Sequence, residues 1–75
     1  MSDFKYEIVE SYGKLSENAK GWTRMLHKIS WNDRPAKYDI RDWAPDETKM
    51  GKGLTFTTEE LRELRTILNK MDLDE

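Results

Sequence analysis

The chain has 75 residues, of which 36% are hydrophobic and 37% charged, and it contains no cysteine and one histidine. These values are typical of one small soluble domain, exclude disulfides and thiolate metal sites, and leave too few ligands for a structural zinc site. Because a chain of this length buries only about 60% of the surface of its unfolded form, a single core is marginal, and we expect a homodimer.

The net charge of −2 conceals a segregated distribution of charge. Residues 1–19 carry two cations and four acids, residues 20–53 eight cations and five acids, and residues 54–75 three cations and six acids. The basic middle section also holds all three tryptophans, Trp22, Trp31 and Trp43. Because the distribution of charge decides partners better than the total does, this section is the first candidate for contact with a polyanion.

No apolar run reaches the roughly 18 residues needed to cross a bilayer. The first ten residues, MSDFKYEIVE, contain acids and lack the apolar stretch of a signal peptide. We therefore expect a cytoplasmic protein, in keeping with association with the nucleoid, and no membrane partner.

The predicted elements begin with a strand over residues 4–12, FKYEIVESY, which are rich in aromatic and β-branched residues. Its apolar positions of one parity are expected to share a face: Phe4, Tyr6, Ile8 and Tyr12. The segment SENAKG at 16–21 indicates a turn, and WTRMLHKISW at 22–31 indicates a second strand. In that strand Trp22, Arg24 and Lys28 share the parity opposite to Met25 and Ile29.

A loop at 32–36 precedes the third predicted strand, KYDIRDW at 37–43. Side chains alternate between the two faces of a strand. Tyr38 and Ile40 therefore fall on one face, and Lys37, Arg41 and Trp43 on the other.

Residues 44–53, APDETKMGKG, indicate a loop, and the strand GLTF at 53–56 follows it. Gly51 and Gly53 flank Lys52, which favours either a bulge at the start of this strand or a backbone that approaches a phosphate closely, and both interpretations stay open.

A helix begins after Thr57, which forms the predicted capping box with Glu60. Its apolar residues recur at spacings of three and four, as in an amphipathic helix: Leu61, Leu64, Ile67, Leu68 and Met71. This stripe is expected to pack on the sheet. The residues near its end are candidates for contact with a second copy: Leu64, Leu68 and Met71.

These elements predict an α+β fold of ββββα order, in which one amphipathic helix covers one face of a curved four-stranded antiparallel sheet. The other face must meet water, a partner subunit or a ligand. The alternation in the third strand places Tyr38 and Ile40 toward the helix and the Lys37, Arg41 and Trp43 side chains on the free face.

Catalytic motifs are absent from the sequence. It has no cysteine nucleophile, Walker loop, nucleophile elbow or metal-ligand spacing, and His27 has no serine or carboxylate motif beside it. The acids of the middle section lack the spacing of a calcium loop. We therefore predict a protein that is not an enzyme and needs no cofactor or metal.

The tryptophans admit two interpretations, core packing or contact with a ligand. Rings among cations on a free sheet face suit single-stranded nucleic acid, since bases stack on rings for about 1–3 kcal/mol each while cations follow the phosphates. Trp31 shares the parity of Ile29, which leaves its facing open. The candidate contacts are Trp22, Arg24, Lys28, Trp31, Arg34, Lys37, Arg41, Trp43, Lys49 and Lys52. The alternative is a protein-interaction module, because tryptophan, tyrosine and arginine also form interface hot spots.

The run ISWNDRPAKYDIRDWAPDETKMGKGLTFTTEELRELRTIL resembles the C-terminal domain of the eukaryotic transcriptional coactivator positive cofactor four, and more closely the short bacterial members of the YdbC type. The markers are the DIRDW segment, the KGLTF strand entry and the acidic-capped helix, and the resemblance extends from Arg24 to Asn69. It implies a homodimer that binds single-stranded DNA with little sequence preference, with RNA and the transcription machinery as further partners.

The resemblance also assigns roles to individual residues. It implies that Trp31 is a stacking aromatic, that Arg24 contacts the nucleic-acid backbone, and that Arg41 and Lys52 match a family arginine and lysine. Trp43 matches the aromatic that closes the DIR segment, where the family often has one residue more. The serine- and lysine-rich regulatory tail of the eukaryotic members has no counterpart, so regulation by such a tail is not expected.

Overall fold

The computed structural model describes residues 5–46 and 48–74, so the predicted position of Phe4 lies outside the described residues. The elements in chain order are β1 (Tyr6–Glu17), β2 (Thr23–Trp31), β3 (Lys37–Trp43), β4 (Met50–Phe56) and α1 (Thr58–Lys70). The strands form one open antiparallel sheet in the order β1-β2-β3-β4. The predicted ββββα order is therefore confirmed.

Two strands are longer than predicted, while β3 has the predicted bounds. β1 continues to Glu17 through residues that were expected to form a turn, and Ser16 pairs with Arg24 there. β4 begins at Met50 rather than at Gly53. Both are edge strands, where exposure to water lets polar residues and glycine extend the pairing.

β1 is bent because it has more residues than the strand it pairs with. Three of its positions, each at a shift in register, have no partner in β2: Val9, Tyr12 and Leu15. A β-bulge bends its strand and increases the local twist. Three bulges in succession therefore curl this side of the sheet.

The bulges also reverse the alternation of side chains along β1. The Tyr6 ring lies 5.8 Å from the Trp31 ring, whereas the Tyr12 ring lies 5.9 Å from the Tyr38 ring, which is on the other face of the sheet (distances between ring centroids). The expectation that Tyr6 and Tyr12 share a face is therefore wrong, because simple parity holds only for a strand without bulges.

The connection from β2 to β3 contains a tight turn at Asn32 and Asp33. Asn32 and Asp33 both have positive φ, 51° and 63°, and the Arg34 N–H donates to the Trp31 carbonyl at 2.9 Å. Two central residues of positive φ are typical of a hairpin turn whose twist matches the flanking strands, and asparagine and aspartate tolerate this conformation. The Asn32 side chain also accepts from the Lys5 N–H at 2.9 Å, so the turn is tied to the start of β1.

The two glycines of β4 lie where its pairing with β3 becomes irregular. The register shifts between the partners of Arg41 and Trp43, which confirms the predicted bulge. Gly53 lies opposite Arg41, and a Cβ atom at Gly53 would collide with Arg41 Cβ and with the Ile40 carbonyl oxygen. Gly53 is therefore required for the close approach of the two backbones.

α1 begins as predicted, with both hydrogen bonds of the capping box between Thr57 and Glu60. Leu61 is half-buried over Tyr38 and Leu26, so the helix lies on the predicted face of the sheet. No helix residue is fully buried. The later residues of the stripe stay largely exposed, at 48% for Ile67, 43% for Leu68 and 51% for Met71.

The core lies on the other face, which no helix covers. Ile29 is fully buried, Trp43 is 2% exposed, and His27 and Asp39 are buried beside them. Because the bulged sheet curls around this face, its own side chains close over one another. No helix in the described part of the chain is long and apolar enough to cross a membrane.

Candidate nucleic-acid interface

Alternation along β2 and β3 divides the candidate residues between two faces, since direct cross-strand partners share a face. The pairs Ile29–Lys37, His27–Asp39 and Met25–Arg41 define one face. This helix-free face carries Trp31, Lys37, Asp39, Arg41 and Trp43. The opposite helix face carries Arg24, Leu26, Lys28, Tyr38 and Ile40.

A buried ion pair lies at the centre of the helix-free face. The Arg41 Nε and Nη2 atoms donate to the two carboxylate oxygens of Asp39 at 2.6 and 2.7 Å. The Asp39 side chain is fully buried and the Arg41 side chain is 14% exposed. The Thr55 hydroxyl donates a further bond to the same carboxylate at 3.1 Å. The pair is thus locked in one geometry by two parallel hydrogen bonds and a third from β4.

Trp31 stacks against this ion pair. The Arg41 Cζ atom lies 4.6 Å from the centre of the Trp31 ring, within the range of a cation–π contact. Tyr6 lies at 5.8 Å from the same ring, tilted by 42°. The Trp31 side chain is half-buried. Its facing, which the sequence left open, is therefore toward Arg41 and the helix-free face.

Trp43 lies on the helix-free face as predicted, but its expected exposure there is wrong. The side chain is 2% exposed, with the His27 ring at 5.3 Å and the Tyr6 ring at 5.7 Å (centroid distances). Parity places a side chain on a face but does not give its depth, which here follows from the curl of the sheet. A ring enclosed in this way has no free surface on which a base could stack.

Arg24 and Lys28 lie on the helix face, so the expectation that they join Lys37 and Arg41 on the free face is wrong. Arg24 donates to Asp42 at 2.8 and 3.2 Å, and this hydrogen bonding holds the pKa of the Asp42 carboxyl below its usual value. The Lys28 Nζ atom lies 5.5 Å from the centre of the Tyr38 ring.

The remaining candidates lie around the sheet rather than in one cluster. Lys37 is exposed at the start of β3, and Arg34 is exposed in the turn that follows Trp31. Lys49 and Lys52 are exposed at the opposite end, in and before β4. Trp22 is half-buried just before β2, where its backbone pairs with Asn18. The structure therefore brings together Trp31, Arg34, Lys37 and Arg41.

Two members of this site were not among the predicted contacts, Asp39 and Tyr6. Asp39 carries a signal in the sequence, because it stands two positions before Arg41 and so shares its strand face. Tyr6 has the parity that predicts a common face with Ile8, but nothing in its own segment indicates that its ring reaches Trp31. Among the described residues, no group of three or more histidine, aspartate and glutamate side chains is arranged to hold a metal ion.

Comparison with known proteins finds a family model and a relative that match this chain. The family model of the transcriptional coactivator p15 (PC4) matches residues 18–67 of this chain, a range that contains every predicted nucleic-acid contact. An uncharacterized protein of Treponema pallidum (strain Nichols) is 54% identical to the chain over 72 residues, which cover 96% of this chain and 85% of the relative. The resemblance found in the sequence is thereby confirmed.

Proposed function

The chain belongs to the transcriptional coactivator p15 (PC4) family, and on this premise we propose that it binds single-stranded DNA with little sequence preference. The observation that carries the proposal is the arrangement of Trp31 over Arg41, with Lys37 on the same face and Arg34 in the adjoining turn. An aromatic ring beside cations suits a single strand, whose bases stack while its phosphates are neutralised. No catalytic role is proposed.

The proposed strand follows the helix-free face, from the turn after Trp31 toward the start of β4. Trp31 stacks on a base, and the exposed cations Arg34 and Lys37 beside it contact phosphates. Lys49 and Lys52, exposed at the opposite end of the sheet, are proposed as further phosphate contacts. Duplex DNA is a poorer ligand, because recognition in the major groove normally uses a helix, and α1 carries Glu59 and Glu60 in its first turn.

The affinity for an oligo-dT strand is expected to fall with salt, with a log–log slope of about −0.7 for each phosphate neutralised. Lys37→Gln is expected to reduce the magnitude of this slope by about 0.7, because it removes one such cation. Lys28→Gln is the matched control, since it removes the same charge from the helix face. Fluorescence anisotropy at several salt concentrations measures both slopes. A wild-type protein that does not bind, or that binds with no salt dependence, contradicts the proposal.

We also propose that the protein is a homodimer formed through α1. The helix covers the sheet only in part and leaves an apolar cleft of about 370 Å³, lined by Leu15, Leu26, Ile40, Leu61, Leu64 and Leu68. Leu54 and Met71 add exposed apolar surface, at 67% and 51%. A second copy of the helix has the apolar stripe that would cover this surface, with Leu64, Leu68 and Met71 at the contact.

Leu68→Glu is expected to convert the dimer to a monomer, because it places a charge in an interface that excludes water. Thr66→Glu is the matched control, since Thr66 is exposed and lies two residues away on the opposite side of the helix. Sedimentation equilibrium of both variants measures the change. A wild-type monomer, or an L68E protein that remains dimeric, contradicts the proposed interface.

The role that fits the family is coactivator-like regulation of transcription, in the cytoplasm, through strands exposed in melted DNA. The transcription machinery is the protein partner that this role implies. RNA is a competing ligand, and titration with oligo-U under the same conditions compares the two. Failure to bind either strand would contradict the proposal and leave the protein-interaction module as the alternative.

A further inference from the structure

We propose that Arg41 supports the Trp31 ring as the underside of a base-stacking platform and does not neutralise a phosphate, and that Asp39 is the positioning residue that holds it there. This inference rests on the proposed binding of single-stranded DNA.

The charge of Arg41 is already matched inside the protein. Its guanidinium bonds both carboxylate oxygens of Asp39, at 2.6 and 2.7 Å, and Nη1 donates to the Met50 sulfur at 3.4 Å. Each of the three guanidinium nitrogens therefore has a partner. The salt dependence of binding arises from cations that release counterions from phosphates. A guanidinium that is 14% exposed and paired with a carboxylate is poorly placed to do so.

The same contacts leave the flat face of the guanidinium for Trp31. Hydrogen bonds hold the guanidinium at its edge, and Cζ lies 4.6 Å from the centre of the Trp31 ring. Arginine stacks on aromatic faces in this way because its charge is spread over a plane. Trp31 is thus fixed by contact with a planar group below it and by the hydrogen-bonded turn that follows it.

The surrounding strands hold the platform in one arrangement. Thr55 on β4 donates to the Asp39 carboxylate at 3.1 Å. Gly53, the partner of Arg41 across the strands, leaves room for the arginine because any Cβ atom there would collide with it. A ring held in its binding orientation before the ligand arrives loses less conformational freedom on binding. The contacts run without interruption from Thr55 through Asp39 and Arg41 to Trp31.

Asp39→Asn distinguishes a supporting role of Arg41 from a phosphate contact, because the two roles predict opposite changes in the affinity for oligo-dT. If Asp39 positions Arg41 beneath Trp31, the variant binds about tenfold more weakly, with the salt slope of the wild type. If Arg41 is a phosphate contact restrained by its carboxylate, the variant binds more tightly and the slope steepens by about 0.7. The second result, or unchanged affinity, would overturn the inference.

Asp39→Asn leaves a guanidinium without its carboxylate in a buried site, which destabilises folds. The double variant D39N/R41Q is therefore the second test, because it removes one charge of each sign and leaves neutral groups that can still hydrogen-bond. It is expected to bind about tenfold more weakly with an unchanged salt slope. A slope smaller in magnitude by about 0.7 would show instead that Arg41 neutralises a phosphate.

Fluorine NMR of protein labelled with 5-fluorotryptophan supplies a measurement that needs no DNA. The Trp31 signal is expected to shift in D39N/R41Q and to stay in place in Lys37→Gln, a control from the same face. A Trp31 signal that does not respond to the double variant would contradict the platform. Failure of the wild type to bind oligo-dT would refute the proposed function itself. If the wild type binds but the salt slope steepens in D39N or falls in magnitude in D39N/R41Q, the platform alone is refuted.

Discussion

Trp43→Ala is expected to lower the free energy of unfolding by about 3–5 kcal/mol, the usual loss for a large aromatic removed from a core. The Trp43 ring is 2% exposed and contacts the rings of Tyr6 and His27, so its removal leaves a cavity on the curled side of the sheet. Urea denaturation followed by circular dichroism measures the loss. Protein concentration must be fixed, because the stability of a dimer depends on it.

Trp43→Phe is the companion variant, and it is expected to show a smaller loss of stability while it keeps the affinity for oligo-dT. A Trp43→Ala protein with the wild-type urea midpoint and weakened DNA binding would contradict the placement of this ring in the core. It would then assign Trp43 the stacking role that its parity in β3 predicted.

Trp31→Ala is expected to weaken the binding of oligo-dT by about 1–3 kcal/mol, the range for the loss of one stacked base. Trp31 is half-buried at the end of β2 and rests on Arg41, so its removal is expected to cost less stability than removal of Trp43. Fluorescence anisotropy measures the affinity, and urea denaturation of the same sample measures the stability.

Trp31→Phe retains an aromatic surface and is expected to recover part of the affinity. Trp22→Ala is the control from outside the proposed contact region, and it should leave the affinity near that of the wild type. Equal affinities of Trp31→Ala and the wild type would contradict stacking at this position.

Local signals in the sequence were sufficient to predict the order of the strands and the helix. The hydrogen bonds of Thr57 and Glu60 confirm the predicted helix start, and the alternation in KYDIRDW gave the bounds of β3 and the facing of Tyr38 and Ile40. These features depend on residues close together in the chain. Propensity and periodicity describe such features well.

The bulges of β1 and the burial of the side chains on the neighbouring strands could not be predicted from such local signals. Val9, Tyr12 and Leu15 have no feature that distinguishes them from paired residues, yet they reverse the parity of the strand and curl the sheet. Burial of Trp43 is a consequence of that curl. The faces of Arg24 and Lys28 required the register of β2 against β3, which pairs these residues with Asp42 and Tyr38.

The candidate site was predicted in part. Lys37, Arg41 and Trp43 share a face as predicted, whereas the facing of Trp31, the burial of Asp39 and its bonds to Arg41 needed the three-dimensional structure. The sequence places Asp39 on the same face as Arg41, two positions away, but an acid exposed to solvent on a strand would have the same spacing. Only the neighbouring strands, through Thr55 and Gly53, make this acid a buried partner.

Single-stranded DNA is expected to lie on the helix-free face, with Trp31 at the centre of the contact. A ¹H–¹⁵N correlation spectrum of the labelled protein, recorded during titration with oligo-dT, tests it most directly because it reports on both faces at once. We expect shifts of the Trp31 indole signal and of the backbone signals of Arg34 and Lys37, with little change at Lys28 and along α1. Shifts confined to Lys28 and α1, or no shifts at all in the folded protein, would contradict it.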